Sequence, residues 1–259
     1  MFFACRPRSK PHAAFSLIES LSAVGLMATL MALVVPAIWP TQNAESMTRN
    51  AYEVAEVLEN ARAYALANNT YVWVGFYEED AAKGNAVPGT GRIVLSTVAS
   101  KDGTTIYNSK PESPATPIDP SRLTQIGKLT KVENVHLKTA SASDPVFPKG
   151  SGAGDTFLTR PTVSGLTAQI GDRSPTNASL TPFQYPVGGT GLPAQYLFSK
   201  AIQFSPRGEV RVDNINYAIK PVVEIGLQPA RGNAVDARNR NAAAVQVTGL
   251  LANVKVYRP

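Results

Sequence analysis

Residues Phe15 to Trp39 form a run of 25 positions, FSLIESLSAVGLMATLMALVVPAIW, in which Glu19 is the single ionisable side chain. As a helix rising 1.5 Å per residue, such a run is long enough to span a hydrocarbon core of ~30 Å. Arg6, Arg8 and Lys10 precede it, with no acid among the first ten residues, so the pattern predicts a cytoplasmic N-terminus and an exported remainder. A secretory signal peptide would have an apolar core of roughly 7–15 residues and a small-residue cleavage site after it. Here the run is longer, and no such site follows the stretch from Pro36 to Pro40. A plain transmembrane anchor leaves Glu19 unexplained, because a carboxylate in a spanning helix costs ~2.5–3.5 kcal/mol unless it is partnered.

Composition removes several function classes. The chain has 259 residues, 44% of them hydrophobic and 17% charged, enough for one well-buried domain plus an extended element. The formal net charge of +6 is too mild to imply a nucleic-acid partner, and half of it lies in the first ten residues. With Cys5 the only cysteine, no disulfide can form within the chain. His12 and His136 are the only histidines, so a Cys/His metal framework is excluded and no metal or cofactor is expected.

The segment Lys10-Pro-His-Ala-Ala14-Phe15-Ser16-Leu17-Ile18-Glu19 resembles the processing signal of type IV pilins and type II secretion pseudopilins. In that family a prepilin peptidase cuts after a small residue, methylates the new N-terminal Phe, and leaves a Glu at the fifth mature position. The resemblance implies cleavage between Ala14 and Phe15, N-methylation of Phe15, and Glu19 as the assembly and register residue. Ala14 stands where Gly is usual. A helix-kinking proline at the twenty-second mature position is frequent in the family, and Pro36 occupies it. Physically, an exposed α-amine and a carboxylate lower each other's cost when paired, so an amine from a neighbouring subunit would set the axial register through Glu19. Gly25 and the small residues Ser20, Ser22, Ala23, Ala28 and Ala32 would let helices approach closely.

Beyond Pro40, apolar or small residues recur at Met47, Ala51, Val54, Leu58, Ala61 and Ala65 with charges on the other faces, which predicts an amphipathic helix with one seam. Asn68-Asn69 stops it, and Thr70–Tyr77 is the clearest strand signal in the chain. This passage is similar to GspH/FimT-type minor pilins and pseudopilins, as is the phrase Phe204, Pro206, Gly208 before the closing strands. The expected fold is therefore α+β: a long N-terminal helix, with a membrane half and an amphipathic half, packed on an antiparallel β-rich head in the pilin manner. The expected organisation is a leader at 1–14, an assembly helix at 15–39, its amphipathic half at 40–69 and a head at 70–259. A Pro/Gly-rich, loop-rich insertion is expected at about 80–195, with short strand candidates at Arg92–Val98, Thr104–Tyr107 and Val135–Lys138.

Catalytic residues are not expected, since no nucleophile–base pair can be assembled. Glu78-Glu79-Asp80 reads as an acidic turn at a strand end, with cation ligation as the alternative, and His136 as a structural or surface histidine. From residue 201 on, eight Lys/Arg face four acids, and Arg231, Arg238 and Arg240 are candidate nucleic-acid contacts against the alternative of a solvated loop. The expected role is a structural minor pilin or pseudopilin subunit. The alternatives are a DNA-binding minor pilin on the same scaffold and a single-pass protein with an uncleaved anchor. The implied partners are the prepilin peptidase, other pilin or pseudopilin subunits, an inner-membrane assembly platform and the membrane itself through residues 15–39. The implied location is the bacterial inner membrane, with the head periplasmic, and then a pilus or pseudopilus.

Overall fold

A computed structural model describes residues 17–84, 86–106, 117–162, 167–170, 182–189, 191, 193–212, 219–235, 237 and 239–259, with the side chains of 33–44, 167 and 168 outside the description. The chain divides into two compact units, residues 1–43 and 44–259. Helix α1, Leu17–Ala67, opens the described chain.

In the second unit, strands β1 (Val72–Asp80), β2 (Gly91–Ser100), β3 (Leu123–Lys138), β4 (Thr167–Ile170), β7 (Lys200–Phe204), β8 (Val210–Arg211), β9 (Val222–Arg231), β10 (Ala234–Val235), β11 (Ala243–Thr248) and β12 (Val254–Tyr257) join in one ten-stranded sheet. Its main path runs β12-β11-β9-β3-β2-β1-β7-β8, all antiparallel, and β4 adds the one parallel pairing among the described strands, against β9. Strands β5 (Phe183–Tyr185) and β6 (Tyr196–Phe198) make a separate two-stranded sheet.

The period of two in β1 sorts its residues between two cores. Val72, Val74 and Phe76 enter the larger core, where they meet Met47, Ala51, Val54, Leu58, Ala61 and Ala65 of α1, the seam read from the sequence. Trp73 and Tyr77 belong to the opposite core with Phe183, Tyr196 and Phe198. Gly75 permits that packing: a Cβ there would stand 2.6 Å from Phe183 Cζ and from Phe198 Cβ. A third cluster holds Phe147 and Phe157 against Ala242, Ala244 and Tyr257. Asn69, at φ 49°, turns the chain from α1 toward β1, a left-handed conformation that Asn tolerates better than most residues.

Two expectations are corrected. The fold class, α+β with a long pilin-like helix packed on a head, does not describe the protein, which is mainly antiparallel β-sheet: twelve described strands accompany α1 and one 3-10 turn, Pro120–Arg122. The location in an inner membrane through a single-pass anchor is corrected too, because among the described residues no helix is long and apolar enough to cross a membrane. The described part of α1 carries Glu19 near its start and Glu45, Arg49, Glu53, Glu56 and Glu59 further on, charges that interrupt its apolar character. The segment at 80–195 also contains β2 and β3, two central strands.

Candidate functional site

The first described residues of α1 carry eight of the exposed large apolar side chains found among the described residues. Leu17, Ile18, Leu21, Val24, Leu26, Met27, Leu30 and Met31 are each at least 56% exposed. At 100° per residue these eight positions are spread around the whole circumference, where a surface helix has a single apolar stripe. Two hydroxyls between them bond back to the helix backbone. Ser22 Oγ donates to the Glu19 carbonyl at 3.0 Å, and Thr29 Oγ1 donates to the Leu26 carbonyl at 2.9 Å, so neither hydroxyl needs water or a partner. Nothing lies within 4 Å of the place a Gly25 Cβ would take, which leaves the backbone open to close approach. Glu19 sits exposed in the first turn, where its negative charge is favoured by the helix dipole.

The other residues singled out from the sequence are dispersed. Ala14 and Phe15, the expected cleavage and methylation positions, lie outside the described residues, as does Arg238. Helix α1 runs through position 36, and the Pro36 side chain is outside the description. Arg231 ends β9 and is exposed, and Arg240 is exposed in the segment before β11.

The acidic trio Glu78-Glu79-Asp80 is not a solvated turn. It is the buried end of β1. Glu79, fully buried, accepts from Arg92 Nη1 at 2.8 Å, Lys131 Nζ at 3.2 Å, the Tyr196 hydroxyl at 3.1 Å and the Ala86 N–H at 2.9 Å. Burial pushes this carboxyl up, but the bonds from Arg92, Ala86 and Lys131 outweigh it and hold the group below its ordinary 4.5. Burial pulls the Lys131 ammonium down, and its bonds to Tyr196 and Glu79 raise it above its ordinary range. Arg92 is held higher still by Glu133, at 2.5 Å, and by Glu79. On the other side of the strand, Glu78 Oε1 lies 2.5 Å from His136 Nδ1. Asp80 accepts from the Ala82 N–H at 2.9 Å and pairs with Lys83 at 3.4 Å. Among the described residues no group of three His, Cys, Asp or Glu could hold a metal ion.

A second buried ion pair was not foreseen from sequence. Arg160, fully buried, donates from Nε to Glu224 Oε2 at 2.7 Å and from its two terminal nitrogens to the carbonyls of Phe157 and Pro148 at 2.5 and 2.7 Å. Its guanidinium carbon lies 5.0 Å from the Phe147 ring centre and 4.6 Å from that of Phe157. Gln246 Nε2 gives Glu224 a further bond at 2.7 Å. Every partner is supplied, which makes this a fastening of the loop before β4 onto β9 rather than a reactive site. The only trace in the sequence is Glu224 inside an apolar strand, which demands a cation without saying which one.

Compared with known proteins, the chain matches no family model, no curated protein and no solved structure.

Proposed function

We propose that the chain is a structural assembly subunit of the pilin or pseudopilin kind, cut between Ala14 and Phe15, methylated on Phe15, and joined to like subunits through the N-terminal part of α1. The observation that carries this reading is the all-round apolar exposure between Leu17 and Met31. A monomer in water rarely leaves so much apolar surface open. One partner surface would cover one face, whereas apolar side chains on all sides call for neighbours on all sides, as in a core of bundled helices. Ser22, Thr29 and Gly25 suit the same purpose, since satisfied hydroxyls and a bare backbone let helices pack closely. Glu19 then meets a neighbour's α-amine and selects the axial register.

The role is structural and needs no cofactor. The nucleic-acid alternative rests on Arg231 and Arg240 among the described residues, and two exposed cations give little phosphate affinity at ordinary salt. The test is the intact mass of the protein purified from its own host. The expected mass lacks residues 1–14 and gains one methyl group. A full-length mass in cells with an active prepilin peptidase would overturn the proposal.

A further inference from the structure

The two ends of the ten-stranded sheet are finished differently. At one end β8 is tied down: the Val210 N–H donates at 2.7 Å to the carbonyl of Gly249, in the turn between β11 and β12. At the other end stands β12, paired with β11 alone. The Thr248 N–H donates to the Asn253 carbonyl at 3.1 Å, which fixes the alternation of bonds along this hairpin. Lys255 and Tyr257 therefore turn their backbone groups toward β11. Val254 and Val256, opposite Val247 and Val245, turn theirs outward. Among the described residues nothing bonds to those two N–H groups or to those two carbonyls. The side chains alternate as well. Val254 and Val256 are half-buried against the larger core, and Lys255 stands exposed on the opposite face. Leu250 and Leu251, in the turn that leads into the strand, are 69% and 63% exposed.

Outward N–H and carbonyl groups on alternate residues of an extended strand are a template for one kind of partner, another extended polypeptide. Water can bond to each group singly, but a strand meets all four and covers the two valines at once. Charge selects the strand. Lys255 lies between the two valines, where residues across an antiparallel pair come closest, with Cα atoms about 4.5 Å apart. A second copy of β12, paired through Val254 and Val256, would set Lys255 against Lys255, and like charges directly opposite destabilise a pair. An acid at that place is favoured instead. Lys255 already meets Asp155 at 2.6 Å, but the Asp155 side chain is 85% exposed, and a contact of this surface kind leaves room for a second carboxylate.

We propose that β12 is a docking edge for an extended segment of another protein, of the pattern apolar–acidic–apolar, added antiparallel like the rest of the main path. The two apolar residues of that segment exchange backbone bonds with Val254 and Val256, and its acid faces Lys255. The edge belongs to β12, so its occupation requires neither the processing nor the packing of α1.

The test is titration of the full chain, held in a mild detergent, with the acetylated and amidated peptide Thr-Val-Glu-Val-Thr. Binding is followed through the amide NMR signals of Val254 and Val256 to about 5 mM peptide, a range that detects millimolar affinity. The expected result is saturable binding in which those two amides move most. Replacing the peptide's Glu by Lys weakens binding about fivefold, and in Lys255→Glu that preference reverses. N-methylation of the peptide's first Val removes a bonding N–H and weakens binding by about fivefold, whereas N-methylation of its Glu, whose N–H points away from β12, costs less. Val256→Pro removes an outward donor without touching the ladder to β11, and it abolishes binding while circular dichroism shows the variant folded. The methylated peptides and Lys255→Glu carry the test should Val256→Pro fail to fold. No saturable binding, equal losses for the two methylated peptides, or binding retained in folded Val256→Pro would overturn the proposal. Dimerisation of the parent protein that Val256→Pro abolishes would overturn it too, by giving the edge to a second copy.

Discussion

Two stretches of α1, residues 17–31 and 47–65, have the same backbone and opposite surroundings. In the first, large apolar side chains are exposed on every side. In the second, Met47, Ala51, Val54, Leu58, Ala61 and Ala65 are at most 2% exposed, while Glu53, Glu56 and Glu59 stay off the sheet. Helical propensity does not separate the two, since the first is rich in Leu and the second in Ala, both good helix formers. The arrangement of charge does. A charged face leaves one seam to bury and fits one neighbour, here the sheet. A stretch with no charged face has no side that prefers water, and the folded unit 44–259 already has its own core without it.

The difference is tested most severely at Leu58, which is fully buried. Leu58→Asp places an unpaired carboxylate between helix and sheet and is expected to remove about 5 kcal/mol or more of stability in urea unfolding. Leu21→Asp, at an exposed position of the first stretch, is expected to change the same measurement by less than about 0.5 kcal/mol. Equal losses would show that the two stretches share one environment.

A slightly smaller effect belongs to the sheet that receives the second stretch. Glu79→Ala leaves Arg92 and Lys131 without their shared carboxylate, and about 3–5 kcal/mol should be lost in the same unfolding assay. The pH dependence follows with a definite sign. Glu79 is held below its ordinary 4.5, so its contribution is complete above that pH and is lost as pH falls through the depressed folded value. Unfolding midpoints measured from pH 6 down to about pH 2 should fall less steeply in Glu79→Ala than in the parent protein. Parallel curves would remove Glu79 from the account.

A small effect of opposite sign is expected at Gly25. With open space around its Cβ position, Gly25→Ala should firm the local helix by about 0.5–1 kcal/mol, read as slower amide exchange between residues 21 and 29. If the first stretch packs against like helices, the same substitution lowers the yield of assembled subunits in cells. A variant that firms the helix and assembles normally would show that close approach at Gly25 is not used.

Much of the local structure was legible in advance. The seam of α1, the Asn68-Asn69 stop and a strand expected at Thr70–Tyr77, found at Val72–Asp80, follow from periodicity and turn chemistry, which act over a few residues. Long-range pairing was not legible. The strand candidates Arg92–Val98 and Val135–Lys138 fall on β2 and on the end of β3, but nothing local announced the register and the contacts with β1 and β9 that place these strands centrally. The acids of β1 were misread for the same reason. Nothing near Glu79 announces Arg92 and Lys131, which reach it from the next two strands.

From the order of residues alone came the existence of α1, the apolar character of its first part with its acid Glu19, and the exclusion of a disulfide within the chain and of a Cys/His metal framework. These depend on which side chains stand a few positions apart, and that spacing survives in any fold. The extent of the sheet, the pairing of Arg160 with Glu224 across 64 positions, and the open edge of β12 came only with the folded chain. A buried charge is tolerable solely through partners that distant strands bring to it, and strand order is settled by cooperative packing of the whole core rather than by any local run of residues.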